Sequence, residues 1–522
     1  MARVHGVRRS IRGIAATGAL TLGLAACSFG PFADSGANAS GTSQSPDPGV
    51  TAPPQGQEHL ARFYSQQLAW ETCEQAQCAW LEVPVDYSRP DGETLKLRVL
   101  KVPARGGGAK PALFVNPGGP GGSAVDYAKL ANFIVTPTVR EAYDVVGVDP
   151  RGVGQSNPIV CIDDAAMDRM NATDPTPDTP AEYAQFLSVG QSFGKACEQK
   201  YPGLLPHVGT DEVAKDMDIA RAALGQDRMV YLGKSYGTFL GATYADLFPA
   251  RVGRLVLDGA LPPDLSSEDM SLGQAEGFET ATRAYVANCV ATSRCPLGSN
   301  LEAGMQSLQQ ILADLDSKPL PVRGDTRVSE IGEGWGSLGM VNAMYDERLW
   351  PRLTTALRSA TAGDGTDLFA LGSEYADRDA SGRYQSNLMQ VIVAVNCLDR
   401  PTPPDTEATR QERIAKFTQV APTWGKFMAE TSICQEWPVK GTREPHRIAA
   451  AGADPILVVG TTRDPATPYS WSQRLAEQLD QARLLTFDGD GHTAYHRSNE
   501  CVDTTVDDYL VQGKVPDADV KC

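Results

Sequence analysis

The chain has 522 residues, 21% charged and 42% hydrophobic, and 64 acidic against 47 basic side chains give it a net charge of -17. That composition excludes a disordered, collagenous or multi-span membrane protein. The acidic balance argues against a nucleic-acid partner, because binding phosphate needs a positive surface that displaces counterions.

Residues 1–26 read as an export signal. Arg3, Arg8, Arg9 and Arg12 precede an apolar stretch from Ile14 to Ala26, which falls short of the roughly 20 residues a spanning helix needs. The stretch closes on Leu24-Ala25-Ala26-Cys27. This resembles a bacterial lipobox and predicts a lipid on Cys27 that anchors the chain to the membrane on its extracytoplasmic face. Two alternatives stay open: Cys27 as an ordinary signal cysteine with cleavage further on, and twin-arginine export through Arg8-Arg9. From Ser28 to Gln57 the chain is mostly Gly, Ser, Pro, Ala and Thr without lysine or arginine. With too little apolar surface to bury, residues 27–57 are expected to form a flexible linker behind the lipid.

Ten cysteines remain beyond Cys27, an even number suited to disulfides in an oxidising compartment. Short spacings suggest Cys73 with Cys78, Cys289 with Cys295 and Cys501 with Cys522; of the three ways to pair the other four, Cys161 with Cys197 and Cys397 with Cys434 is the one expected. Sequence alone does not fix that connectivity. No C-x-x-C pair or neighbouring histidine pair argues for a metal site, so neither a metal nor any other cofactor is expected.

Folding should begin near Glu58, and the remaining ~465 residues exceed what one core usually holds, so a core with an insertion is expected. Leu81 to Tyr87 and Thr94 to Val102 alternate as an antiparallel pair across the turn Arg89-Pro90-Asp91-Gly92. Short apolar runs follow at Ala112 to Asn116, Val145 to Asp149, Met229 to Gly233, Leu255 to Asp258, Ile456 to Gly460 and Leu484 to Phe487. Such runs suit strands buried on both faces. Helical stretches between them, such as Asp211 to Leu224, imply a mostly parallel sheet with crossover helices. Residues 259–454 instead carry helical patterns such as Ala275 to Val290. They read as a large helical cap inserted between late strands of a core formed by residues 58–258 and 455–522.

The chemistry starts at Gly233-Lys234-Ser235-Tyr236-Gly237, which follows an apolar run and precedes the helical stretch Thr238 to Leu247. A serine on a sharp strand-to-helix turn needs small neighbours on both sides, which is the nucleophile elbow of an α/β-hydrolase fold. Its hydroxyl needs a base, and the base an acid, in the chain order Ser, Asp, His. His492 lies in the loop Asp488-Gly489-Asp490-Gly491-His492 just after a late strand, with His496 as the nearby rival. Asp464 follows the strand Ile456 to Gly460, 28 residues before His492. Thr467 can brace the acid or line the pocket. Asn116-Pro117-Gly118-Gly119-Pro120-Gly121-Gly122 leaves another strand and suits an oxyanion hole, with donors expected from Gly119 and Tyr236.

The loop NPGGPGG, the segment from Asp149 to Ser156 (DPRGVGQS), the elbow GKSYG and the tail TTRDPATP with GDGHTAY together resemble the secreted tripeptidyl aminopeptidases of actinobacteria. These form a proline iminopeptidase-related branch of α/β-hydrolases that includes mycobacterial cell-envelope serine protease and hydrolase lipoproteins. The resemblance spans about Leu81 to Cys522. It implies release of tripeptides from the free amino terminus of a peptide or protein, by a chain expected to act as a monomer. An anion in the cap would then bind the substrate ammonium, for which Glu276 and Glu279 are the candidates.

The residues alone reach only a serine hydrolase of ester or amide bonds. A carboxylesterase or lipase acting on cell-envelope lipids uses the same machinery. A silent binding protein would not need an intact triad, and an epoxide hydrolase or dehalogenase would place Asp at the elbow.

Overall fold

The computed structural model describes residues 52–522 apart from 431 and 442; the signal, Cys27 and the linker up to residue 51 lie outside the described residues. Among the described residues ten strands form one sheet in the order β1-β2-β3-β5-β4-β6-β7-β10-β11-β12. In chain order these are β1 (Glu71–Cys73), β2 (Ala76–Pro84), β3 (Thr94–Val102), β4 (Ala112–Asn116), β5 (Asp144–Val148), β6 (Met229–Lys234) and β7 (Val252–Asp258). After a two-residue pair, β8 (Leu320–Pro321) and β9 (Glu330–Ile331), come β10 (Ile456–Arg463), β11 (Ala482–Asp490) and β12 (Val520–Lys521). β1, β2, β3 and β5 pair antiparallel. From β5 onward every pairing is parallel.

The apolar runs are continuous because both sheet faces are covered, and the period of two sends alternate residues to different layers. Phe114, Val146, Tyr231, Leu257 and Val458 join one hydrophobic cluster, with the helices Thr210–Ala223 and Tyr236–Leu247. Their neighbours Leu113, Val145, Leu232, Val256 and Leu457 join the opposite one, with Val125, Val139 and Val502.

The first hairpin differs from the sequence expectation. β2 begins five residues earlier and ends at Pro84, because the Cys73–Cys78 bridge joins β1 to β2 and extends the ladder at its start. All five expected cysteine pairs are bridged.

Between β7 and β10 the chain is mostly helical, and Phe278, Tyr285, Trp335, Leu353 and Trp424 centre a hydrophobic cluster of their own. That insertion is not wholly separate. Val391, Ala394 and Leu398, on the helix Leu388–Asp399, pack into the first core cluster with Trp437 and Ile448. A second helical excursion, missed by the periodicity reading, lies between β5 and β6, where Pro180–Lys200 is held by Cys161–Cys197. Among the described residues no helix is long and apolar enough to cross a membrane.

The DPRGVGQS segment is structural. Arg151 is fully buried, forks onto Asp216 at 2.7 and 2.8 Å, and donates to the carbonyls of Pro84, Val85 and His207. Asp149 accepts from Ser123 Oγ and from the backbone N–H groups of Val125 and Gln155. It thereby ties this turn to the helix that follows the glycine loop.

Candidate active site

Ser235 sits between β6 and the helix Tyr236–Leu247 with φ 56° and ψ -127°. This backbone conformation is costly for a non-glycine residue and persists only where its surroundings over-determine it. They do so here: Ser235 N donates to Asp258 O at 2.9 Å, and Thr238 donates to Ser235 O through both N and Oγ1. Gly233 must lack a side chain, since a Cβ there would lie 2.3 Å from Gly237 O.

The glycine loop abuts this elbow. Gly118 has φ +92°, and a Cβ on it would sit 2.5 Å from Lys234 O and 3.0 Å from Tyr236 N. The helix starting at Tyr236 places its N-terminus here, and its dipole favours negative charge there. Gly119, Ser235 and Tyr236 line one cavity of about 330 Å³ with Thr467 and the insertion residues Phe278, Tyr345 and Trp424.

At the ends of β10 and β11 the structure brings Asp464 and His492 together. Nδ1 of His492 lies 2.8 and 2.9 Å from the two Asp464 oxygens. Asp464 also accepts from the N–H groups of Ala466, Thr467 and Thr493. The ring packs edge-on against Tyr345 at 5.3 Å, and His492 N donates to Tyr345 O. Nε2 of His492 is buried and has no hydrogen-bond partner. An imidazole fixed through one nitrogen with the other unclaimed is arranged to take a proton. His496 instead faces Asp503, its Nδ1 3.7 Å from that carboxylate. Thr467 fills both expected positions, since its N–H braces Asp464, its Oγ1 lies 3.3 Å from His492 Nδ1, and it lines the cavity.

The two glutamates are placed otherwise than their sequence positions suggested. Glu276 is exposed and off the cavity wall. Glu279 is buried, but both its oxygens accept from Thr423, so it braces the turn before Trp424. Both belong to the helix Ser267–Val290, whose cavity-facing positions are Met270, Gln274 and Phe278.

Sequence reasoning missed two features. Asp258, at the end of β7, is fully buried, accepts from Ala494 N and Tyr495 N, and lies 3.6 Å from Lys234 Nζ. A charge closing an apolar strand was the available signal. Asp174, Asp316 and Glu333 bring one oxygen each within 4.8 Å of one another. Asp174 precedes Pro175, and Glu333 lies one turn before Ser337; both neighbours line the cavity. Burial, with the nearby Asp174 and Asp316 charges, raises Glu333 to about 8, and its carboxyl group hydrogen-bonds Asp174. These residues come from separate segments, so no local pattern could reveal them.

The fold and this site define a serine hydrolase of the α/β-hydrolase class. A family model described as "TAP-like protein" matches residues 421–522. Serine protease Hip1 of Mycobacterium tuberculosis is 39% identical over 459 residues, covering 86% of this chain and 87% of that protein. Carboxylesterase B of the same species is 39% identical over 493 residues, covering 92% of each. Tripeptidyl aminopeptidase of Streptomyces lividans is 30% identical over 478 residues, covering 87% of this chain and 86% of that protein. The chain belongs to the TAP-like family of α/β-hydrolases that these enzymes represent.

Proposed function

We propose that the protein is an exported serine peptidase that releases short peptides, tripeptides among them, from free amino termini. The observation that carries this reading is His492, held through Nδ1 by Asp464 with Nε2 unclaimed, in a molecule whose elbow serine is strained. Ser235 Oγ attacks the scissile carbonyl and its proton passes to His492 Nε2, while Asp464 stabilises the imidazolium. The N–H groups of Gly119 and Tyr236 receive the oxyanion. His492 then gives its proton to the leaving amine, and a water activated by the same nitrogen releases the acyl group. Thr467 keeps Asp464 and the ring in register.

A peptidase is favoured over an esterase by what borders the cavity. None of its lining side chains is charged, yet Asp174 adjoins Pro175 and Glu333 lies one turn before Ser337, and both of those neighbours line the cavity. A substrate ammonium at that end of the cavity would be attracted by these carboxylates. The leader ending in Cys27 and the five bridges support an oxidising, extracytoplasmic location with a lipid anchor, and a monomer is the expected state.

The test compares a tripeptidyl amide bearing a free amine with its N-acetylated form. The free amine should turn over at least about tenfold faster, the discrimination expected of one desolvated ionic contact. Equal rates, together with faster cleavage of simple esters, would establish the esterase reading instead. A fluorophosphonate should label Ser235 in either case.

The carboxylate cluster also sets a pH dependence. Glu333 holds its proton in the folded state up to about 8, against 4.5 ordinarily, so its contribution to stability is full below about 4.5 and is lost as pH rises towards 8. Glu333→Gln keeps a donor for Asp174 and an acceptor for Thr176 at every pH. Thermal melting from pH 5 to 8 should therefore fall less steeply in this variant than in the parent; parallel slopes would refute the assignment.

A further inference from the structure

Arg400 follows the helix Leu388–Asp399 and is 2% exposed. Its Nε, Nη1 and Nη2 are all buried without an acceptor. Its Cζ lies 4.5 Å from the centroid of the Phe239 ring, and the Cζ of Arg443 lies 4.9 Å from the same centroid. Arg443 bonds Asp211 through Nη1, but its Nη2 is likewise buried and unpartnered. The adjacent carboxylate does not answer them. Asp399 directs one oxygen to Thr210 N at 2.9 Å and the other to Thr210 Oγ1 at 2.5 Å.

Four buried guanidinium nitrogens thus lack acceptors in one region of the interior. Buried donors are nearly always satisfied, and an unpaired buried cation is among the costliest features a fold can carry. Stacking on Phe239 compensates part of the charge but satisfies no in-plane N–H. Burial is strong enough to hold Arg400 down to about 10, with Asp399 opposing the shift and Arg443 adding to it.

We infer that the Arg400 guanidinium holds a small monovalent anion, of the halide class, in the interior beside Phe239, with Arg443 adding to the positive potential. A halide accepts from the Nε–H and Nη–H edge of a guanidinium at once and supplies the negative charge that a water does not. The position has a consequence for the enzyme. Thr210 Oγ1, which bonds Asp399, also bonds Tyr236 Oη, and Tyr236 directly follows Ser235. Tyr236 packs on Phe239 with centroids 6.0 Å apart. An occupied site would stiffen the region that carries the residue after the nucleophile.

The experiment uses the purified folded protein with bromide and chloride as probes. Crystals grown in bromide should show an anomalous peak within hydrogen-bond distance of the Arg400 nitrogens. In solution, replacing gluconate by chloride at constant ionic strength should raise the melting temperature by a few degrees, with saturation. The same titration should leave Arg400→Met flat, a variant that removes the buried charge as well as the site. A peak without any chloride dependence of melting would mark an adventitious ion only. Water alone at Arg400, or an unchanged titration in Arg400→Met, would also overturn the assignment.

Discussion

Asp464→Asn is expected to lower kcat by about 10⁴ while leaving KM for peptide substrates nearly unchanged, the scale on which a triad acid matters. The carboxylate is 1% exposed, and every bond it makes is one it accepts. One oxygen faces Ala466 N at 3.0 Å, Thr467 N at 2.8 Å and His492 Nδ1. The other faces Thr493 N at 3.1 Å and the same ring nitrogen. An asparagine amide turned either way sets its NH₂ against at least one backbone N–H, or forces His492 into the tautomer that carries its proton on Nε2. In that tautomer Nε2 has no lone pair for the serine proton. A modest loss of stability should accompany the kinetic one, about 1–3 kcal/mol for buried donors left without an acceptor. His496→Ala is the matched control and should alter kcat less than about twofold, because a residue outside the reacting set makes no transition-state contact. Single-turnover measurements on both variants decide the matter. A fall of less than tenfold in Asp464→Asn would move the acid elsewhere, with Asp258 as the next candidate.

Why the site was legible in part follows from which constraints are local. The elbow needs glycines at fixed offsets from Ser235, so strand, motif and helix announce it together. His492 and Asp464 follow strands whose apolar runs stand out because both sheet faces are covered, and the cysteine pairs lie close along the chain. The insertion behaves differently. Its helices pack against one another and against the core, so the side that faces the cavity depends on contacts no local window contains. Glu276 and Glu279 show this: one helix presents Gln274 and Phe278 to the cavity and turns both acids away. Asp174 and Glu333 come from segments 159 residues apart, joined only because the excursion after β5 meets the insertion. A cavity wall built this way leaves no motif.

Asp258→Ala should be the most destabilising of the substitutions considered, costing about 3–5 kcal/mol, the range for breaking a buried charge pair by removing one partner. Burial raises Asp258 and lowers Lys234, so neither is comfortable as an ion without the other. Removing the carboxylate also strips the acceptor from Ala494 N and Tyr495 N, which hold the chain immediately after His492. Two separate losses follow, and they can be told apart. The charge loss should be relieved by also replacing Lys234: urea unfolding of Lys234→Met with Asp258→Ala should show a favourable coupling of about 1–3 kcal/mol, the scale for residues in direct contact. The loop loss should not be relieved, because the two N–H groups still lack an acceptor and His492 is still less firmly placed. The double variant should therefore regain stability while kcat stays low. Strictly additive unfolding energies would show that Lys234 and Asp258 are not an energetic pair. A recovery of kcat in the double variant would show that Asp258 acts through charge alone and does not hold the histidine loop.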